Sequence, residues 1–293
     1  MTRVPASDAA VRAVRLVARI LTAAVGVAVL SAGRPAAQES SAAANQRRTL
    51  YQILDIYVRD GLVYYRALKS DSSKLSAYLA SAAEAPVDSW SANERLAFWL
   101  NAYDAVVLKT VIDHYPVPRR SADYPSGSIR QIPGAFERVQ HRIGRRSVTL
   151  DDIESKWLAD FHDPRVYLAI GRGAVGGGRL RSEAFNPATV EMQLADVAAE
   201  CVARPECILI DRLNNQVLLN AIFSWRSQAF IGAFANAAPA AFASRSPIER
   251  AGLALIAPHL LGIEKEFLAR NEFKVEFAPF DWSLNDLTGR GGR

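Results

Sequence analysis

The stretch Glu94–Tyr115, ERLAFWLNAYDAVVLKTVIDHY, decides the architecture. Its apolar residues fall on most faces of a helix rather than on one stripe, the pattern of a helix with protein on every side. Ser91-Ala92-Asn93-Glu94 ahead of it is a capping box, in which the Ser and Glu side chains satisfy the first free amides, and Pro116 stops it. A buried central helix is therefore expected around Asp88–His114.

Working outward, the stripe Leu50, Leu54, Tyr57 and Val58 predicts a helix ending before Gly61, and Ser73–Ala83 predicts another. Thr149 and Asp152 form a second capping signal, opening a helix through Trp157 and Leu158. Val190, Leu194, Val197 and Cys201 mark a further stripe, and Ser246-Pro247-Ile248-Glu249 caps one more helix with proline at its first position. Strand patterns lie near 62–66, 165–170, 207–212, 216–219 and 273–277, with Asn214-Asn215 as a hairpin turn that tolerates positive φ. The expected class is α+β: a mainly helical single domain, 47–289, with a small, mostly antiparallel sheet. Residues 38–46, rich in Ser, Ala, Gln and Asn, read as a linker.

The chain has 293 residues, half of them apolar, with 35 Lys plus Arg against 30 Asp plus Glu. That basic excess would suggest a polyanion partner if it belonged to the folded part. It does not. Residues 1–37 combine Arg3, Arg12, Arg15 and Arg19, an apolar run Ile20–Ala32 too short to span a bilayer, and small residues through Ala37, the pattern of a cleaved secretory signal. With Arg34 they hold five Arg and one acid, Asp8, so without them 30 basic side chains face 29 acidic ones. Nucleic acid is not expected as a partner, nor an integral membrane domain after signal cleavage. The expected location is periplasmic or secreted.

Two cysteines, Cys201 and Cys207, are the whole thiol inventory. Export would place them in an oxidising compartment, where such a pair closes a short disulfide. The arginines Arg119, Arg120, Arg130, Arg138, Arg142, Arg145 and Arg146 cluster in a proline-rich segment that reads as a long irregular connection, its charges facing water.

Gly171-Arg172-Gly173-Ala174-Val175-Gly176 fits the G-x-G-x-x-G spacing of a dinucleotide loop. Its context does not: no helix opens at the third glycine, since Gly177, Gly178 and Arg179 follow and the next helix starts after Pro187. His114, His141, His162 and His259 stand alone without metal-ligand spacing, and no G-x-S-x-G elbow is present. No metal and no cofactor are expected.

The motifs LAFWLNAYDAVVLKTVIDHYP, VTLDDIES, DPRVYLAIGRGAVGGGRLRSEAF and FDWSLN, in that order over about residues 50–285, resemble the domain of unknown function 547 family. The resemblance implies a His after the Ile153-Glu154 pair, a His before the glycine loop and two Cys within it, a set suited to a thiolate nucleophile with a general base. Here Ser155, Tyr167, Arg172 and Gly177 occupy those four positions, while Gly178 and Arg179 replace a Pro pair. Arginine stays protonated at neutral pH and serves as neither nucleophile nor base. Thiol chemistry is thereby lost, and no catalytic residue is assigned.

Two readings follow. In the first, the protein is non-catalytic and the old loop is reused as a ligand surface, with Tyr167, Gly171, Arg172, Gly173, Gly176, Gly177 and Arg179 around exposed backbone amides, supported by Asn101, Glu154 and Ser155. Its partner would be a small anion or an envelope protein. The alternative is a hydrolase of unassigned substrate using an acid and base near the same loop, for instance Glu154 with His162 or Tyr167.

Overall fold

Ala92–His114 is one helix of 23 residues, and 17 of its side chains are buried. In this computed structural model, which describes residues 39–289, that helix (here α4) is the axis of the core. Its N-terminus is held as expected: the Ser91 amide donates to Glu94 Oε2 (2.8 Å) and the Glu94 amide to Ser91 Oγ (3.3 Å). Before it come α1 (Ser41–Tyr57), a tight β-ribbon of β1 (Val58–Arg59) and β2 (Leu62–Val63), α2 (Tyr65–Ser70) and α3 (Ser73–Ala83). Leu50, Ile53, Leu54, Leu68 and Leu75 from these helices bury fully in the same core. Removing a side chain of this size from water contributes ~1.5–3 kcal/mol.

Four expectations meet differences. The linker reading fails from Ser41 onward. Ser40 Oγ accepts the Ala43 amide (3.2 Å), and alanine, which fills 42–44, has the highest intrinsic helix preference, so the small residues open α1. The expected strand at 165–170 is a helical turn, α6 (Arg165–Ala169). Asp163 Oδ1 takes the Arg165 amide (3.0 Å) and starts the turn, and a short apolar run does not by itself distinguish a buried helix from a strand. The 116–146 connection is ordered around Gln131, whose side chain bonds the Arg120 and Ser121 amides and the Ser121 and Tyr124 carbonyls. It ends in a hairpin of β3 (His141–Ile143) and β4 (Arg146–Val148). Nor do its arginines simply face water: Arg130 pairs with Glu137, Arg142 with Glu84 and Arg146 with Asp88.

The second capping box also forms, with the Thr149 amide on Asp152 Oδ2 and the Asp152 amide on Thr149 Oγ1 (both 3.0 Å). It opens one turn of helix, α5 (Leu150–Asp152), which widens into a π-turn at Ile153–Trp157 closed by the Leu158 amide on Ile153 O (2.9 Å). Later come α7 (Val190–Val202), β5 (Ile208–Asp211), β6 (Gln216–Asn220), α8 (Ala221–Trp225), α9 (Ser227–Phe234), α10 (Pro247–Ile256), α11 (Gly262–Arg270) and β7 (Lys274–Ala278). β5 and β6 pair antiparallel, with Asn215 at φ 50° in their turn, and β7 joins β6 in parallel with Val217 opposite Val275. The fold is α+β and mainly helical, as expected. The expected signal segment, 1–37, lies outside the described residues. No helix among those described is long and apolar enough to cross a membrane.

Cys201 and Cys207 form the disulfide, which links the end of α7 to the start of β5 across a separation of six residues. So short a loop limits the unfolded chain modestly. The Cys201→Ser/Cys207→Ser double variant is expected to lose about 2 kcal/mol, read as a shift of the urea midpoint at unchanged slope.

Candidate functional site

The glycine loop is packed on both sides. Its start leaves α6, and its far side is zipped to the C-terminal segment: the Val175 amide donates to Ser283 O and the Gly176 amide to Asp281 O (both 2.9 Å). The Ala174, Gly177 and Gly178 amides bond inside the loop and to Ile170 O. The Gly171 amide donates to Asp104 Oδ1 (3.2 Å), from α4. Asn220 and Arg204 take the loop's outward carbonyls. Residues 171–177 are all buried. Six of the amides expected to be exposed, those of Gly171 and of residues 174–178, are therefore already occupied by protein acceptors.

Arg172 is buried too, at 2% exposure, in the left-handed region at φ 49°. Its guanidinium donates to Glu154 Oε1 (2.6 Å) and to the Tyr167 carbonyl (2.9 Å). Arg226 reaches the same Glu154 oxygen from after α8 at 2.8 and 3.1 Å, and Tyr103 OH donates to Glu154 Oε2 (3.5 Å). Arg226 also lies over the Tyr167 ring, 5.1 Å from its centroid. The π-turn positions the carboxylate: Glu154 sits in the widened turn and points into the core.

Burial alone would push the Glu154 carboxyl up, but Arg172 and Arg226 outweigh it and hold the group below its usual range. A carboxylate locked by two guanidiniums is a poor proton shuttle at neutral pH. Of the remaining expected residues, Asn101 ties down Phe185 through both its amide atoms (2.8 and 2.9 Å). Ser155 is exposed and bonds Asp151 O, and Arg179 bridges Asp60 and Glu200. The structure thus joins Glu154, Arg172 and Tyr167 and places Asn101, Ser155 and Arg179 elsewhere. No bond joins His162 to Glu154.

The model of the family described as Protein of unknown function, DUF547, matches residues 87–202. Over that segment, which is less than half of the chain, the protein is similar to this family. The match takes in the central helix, the π-turn and the glycine loop, and leaves the FDWSLN motif outside. No curated protein and no solved structure matches the chain significantly.

Within the matched segment, sequence reasoning missed Tyr103 and Asp104, which look like ordinary residues of an apolar helix. It also missed Arg226, which lies beyond the segment and 72 residues from its partner. Burial pushes the Asp104 carboxyl up to about 7, against the opposing pull of the Gly171 amide and Arg172. The folded state therefore holds that proton where the unfolded chain has lost it, so stability falls as pH rises from about 4 to 7 and levels off above. Asp104→Asn keeps the acceptor for Gly171. It is expected to melt a few degrees above wild type at pH 8, at ~2–4 °C per kcal/mol, and to show no gain at pH 4, by calorimetry across that range.

Proposed function

We propose that this chain is an exported, non-catalytic DUF547 protein in which the family's reaction site has become a structural ion-pair core, leaving it to act by binding. One observation carries the reading: Arg172, at a position where the resemblance implies Cys, is buried and spent on Glu154. Gly177, at the other implied Cys position, leaves no room for a side chain, since a Cβ there would lie 2.1 Å from Gly171 O. The anion-surface idea loses support with six of the loop amides engaged, and the hydrolase alternative loses it with Glu154 locked.

The test is turnover of chromogenic ester, peptide and glycoside substrates. None above buffer is expected, and turnover that disappears in Tyr167→Phe would overturn the proposal. Export is supported by the expected signal and by a disulfide of the kind oxidising compartments sustain. Cleavage after Ala44 would remove the Ser40 cap, the Glu39–Arg47 pair (2.8 Å) and the first turn of α1. The exported chain is therefore expected to begin before Ser40 by N-terminal sequencing, and an unprocessed cytoplasmic chain would count against export.

A further inference from the structure

An aromatic cluster beside the buried ion pair takes no part in that core. Trp225, at the end of α8, is 48% exposed. Phe280 lies beneath it at 4.9 Å between ring centroids, and Trp282 lies near-parallel at 6.1 Å. Tyr124 meets Trp282 edge-on at 6.1 Å. These rings come from three distant parts of the chain, so the fold has assembled them: Trp225 is exposed on a platform of half-buried Tyr124, Phe280 and Trp282, and an exposed ring held in this way marks an interaction site.

Charge lies within the cluster and not only at its rim. Arg226 follows Trp225 directly and lies over Tyr167. Arg130 lies over Trp282, 4.6 Å from the ring centroid. Asp151 is exposed, with its amide on the Phe136 carbonyl (3.0 Å) beside the Phe136 ring that meets Trp282 edge-on at 5.7 Å, and its carboxylate makes no hydrogen bond among the described residues. Burial, together with Glu137 and Glu154, raises its pKa, while Arg130 and Arg226 pull against that rise. A docking patch for an apolar protein surface would keep charge out of its centre. Here ring faces alternate with a free carboxylate and guanidiniums.

A sugar ring fits both features. Its C–H face presents weakly positive hydrogens to the negative face of an indole, and its hydroxyls donate to a carboxylate and accept from a guanidinium. We propose that the Trp225 surface binds a carbohydrate, a pyranose oligosaccharide stacked on Trp225 with its hydroxyls on Asp151 and Arg226. The inference goes beyond loss of chemistry and stands apart from it: cleavage of a bound oligosaccharide would overturn the non-catalytic reading and leave this one intact.

The test titrates the intact exported protein with cellohexaose, maltohexaose and chitohexaose, followed by tryptophan fluorescence and calorimetry. Saturable binding of at least one is expected, weakened about tenfold or more in Trp225→Ala, less in Trp225→Phe, and several-fold in Asp151→Asn. Met192→Ala, at an exposed apolar residue elsewhere, is expected to bind like wild type. Near-ultraviolet circular dichroism confirms that each variant is folded. The proposal is overturned if no oligosaccharide binds at millimolar concentration, if Trp225→Ala binds like wild type, or if sedimentation shows a Trp225-dependent dimer in place of sugar binding.

Discussion

Gly178→Ala is expected to abolish the native fold or to leave it barely stable. A Cβ at this position would stand 2.1 Å from Leu168 O, 2.8 Å from Leu168 C and 2.9 Å from Ala169 C. These are backbone atoms, so no rotamer change relieves the overlap. The end of α6 would have to move away from the loop, breaking the bond from the Gly178 amide to Ile170 O (3.0 Å). Overpacking usually costs ~1–3 kcal/mol, and an overlap with backbone that no rotamer relieves is expected to reach the exceptional range of about 4–5 kcal/mol, against a total of ~5–15 kcal/mol for a domain. Gly232→Ala gives the contrast. It lies within α9 with nothing in reach of a Cβ, and it is expected to gain about 0.5–1 kcal/mol from helix propensity. Soluble yield and urea unfolding of the pair decide the matter: a wild-type midpoint for Gly178→Ala would mean that packing does not require glycine there.

Much of this fold was legible because its signals are local. Capping boxes at Ser91, Thr149 and Ser246 each involve residues three apart, and all three form. The unbroken apolar character of the central helix announced its burial. What stayed hidden depends on distant partners. The run 166–170 has strand-like composition, and only the Asp163 turn and the loop packed against it make 166–169 helical, with Ile170 extended. The glycine run looked like an open cradle because a sequence does not state which acceptors will meet its amides. Those acceptors are Asp281 and Ser283, more than 100 residues on. The same applies to the candidate site. Glu154 and Arg172 were legible as positions through the family motifs, but their pairing, and the second guanidinium from Arg226, are products of tertiary packing.

That pairing has a measurable asymmetry. Glu154→Gln is expected to cost about 3–5 kcal/mol, because it strips the counter-charge from a fully buried Arg172 that stays protonated and keeps only carbonyl acceptors. Arg172→Met is expected to cost less. Glu154 would still hold Arg226 at 2.8 Å and Tyr103 OH at 3.5 Å, and no buried charge would be left alone. A double variant, Glu154→Leu/Arg172→Met, is expected to recover most of the loss, since Arg226 is one-third exposed and turns to water. The pH dependence has a definite sign. Glu154 titrates below its usual range in the fold, so its contribution is complete above the unfolded value near 4.5 and is lost as pH falls through the lower folded value. Wild type should therefore lose stability more steeply in acid than Glu154→Gln, the reverse of the neutral-pH dependence set by Asp104. Urea unfolding at pH 7 and an acid titration of both proteins measure the two effects. Equal stability at pH 7 and equal acid slopes would show that the Glu154–Arg172 pair holds nothing together, and the reading of this site as a structural core would fall with it.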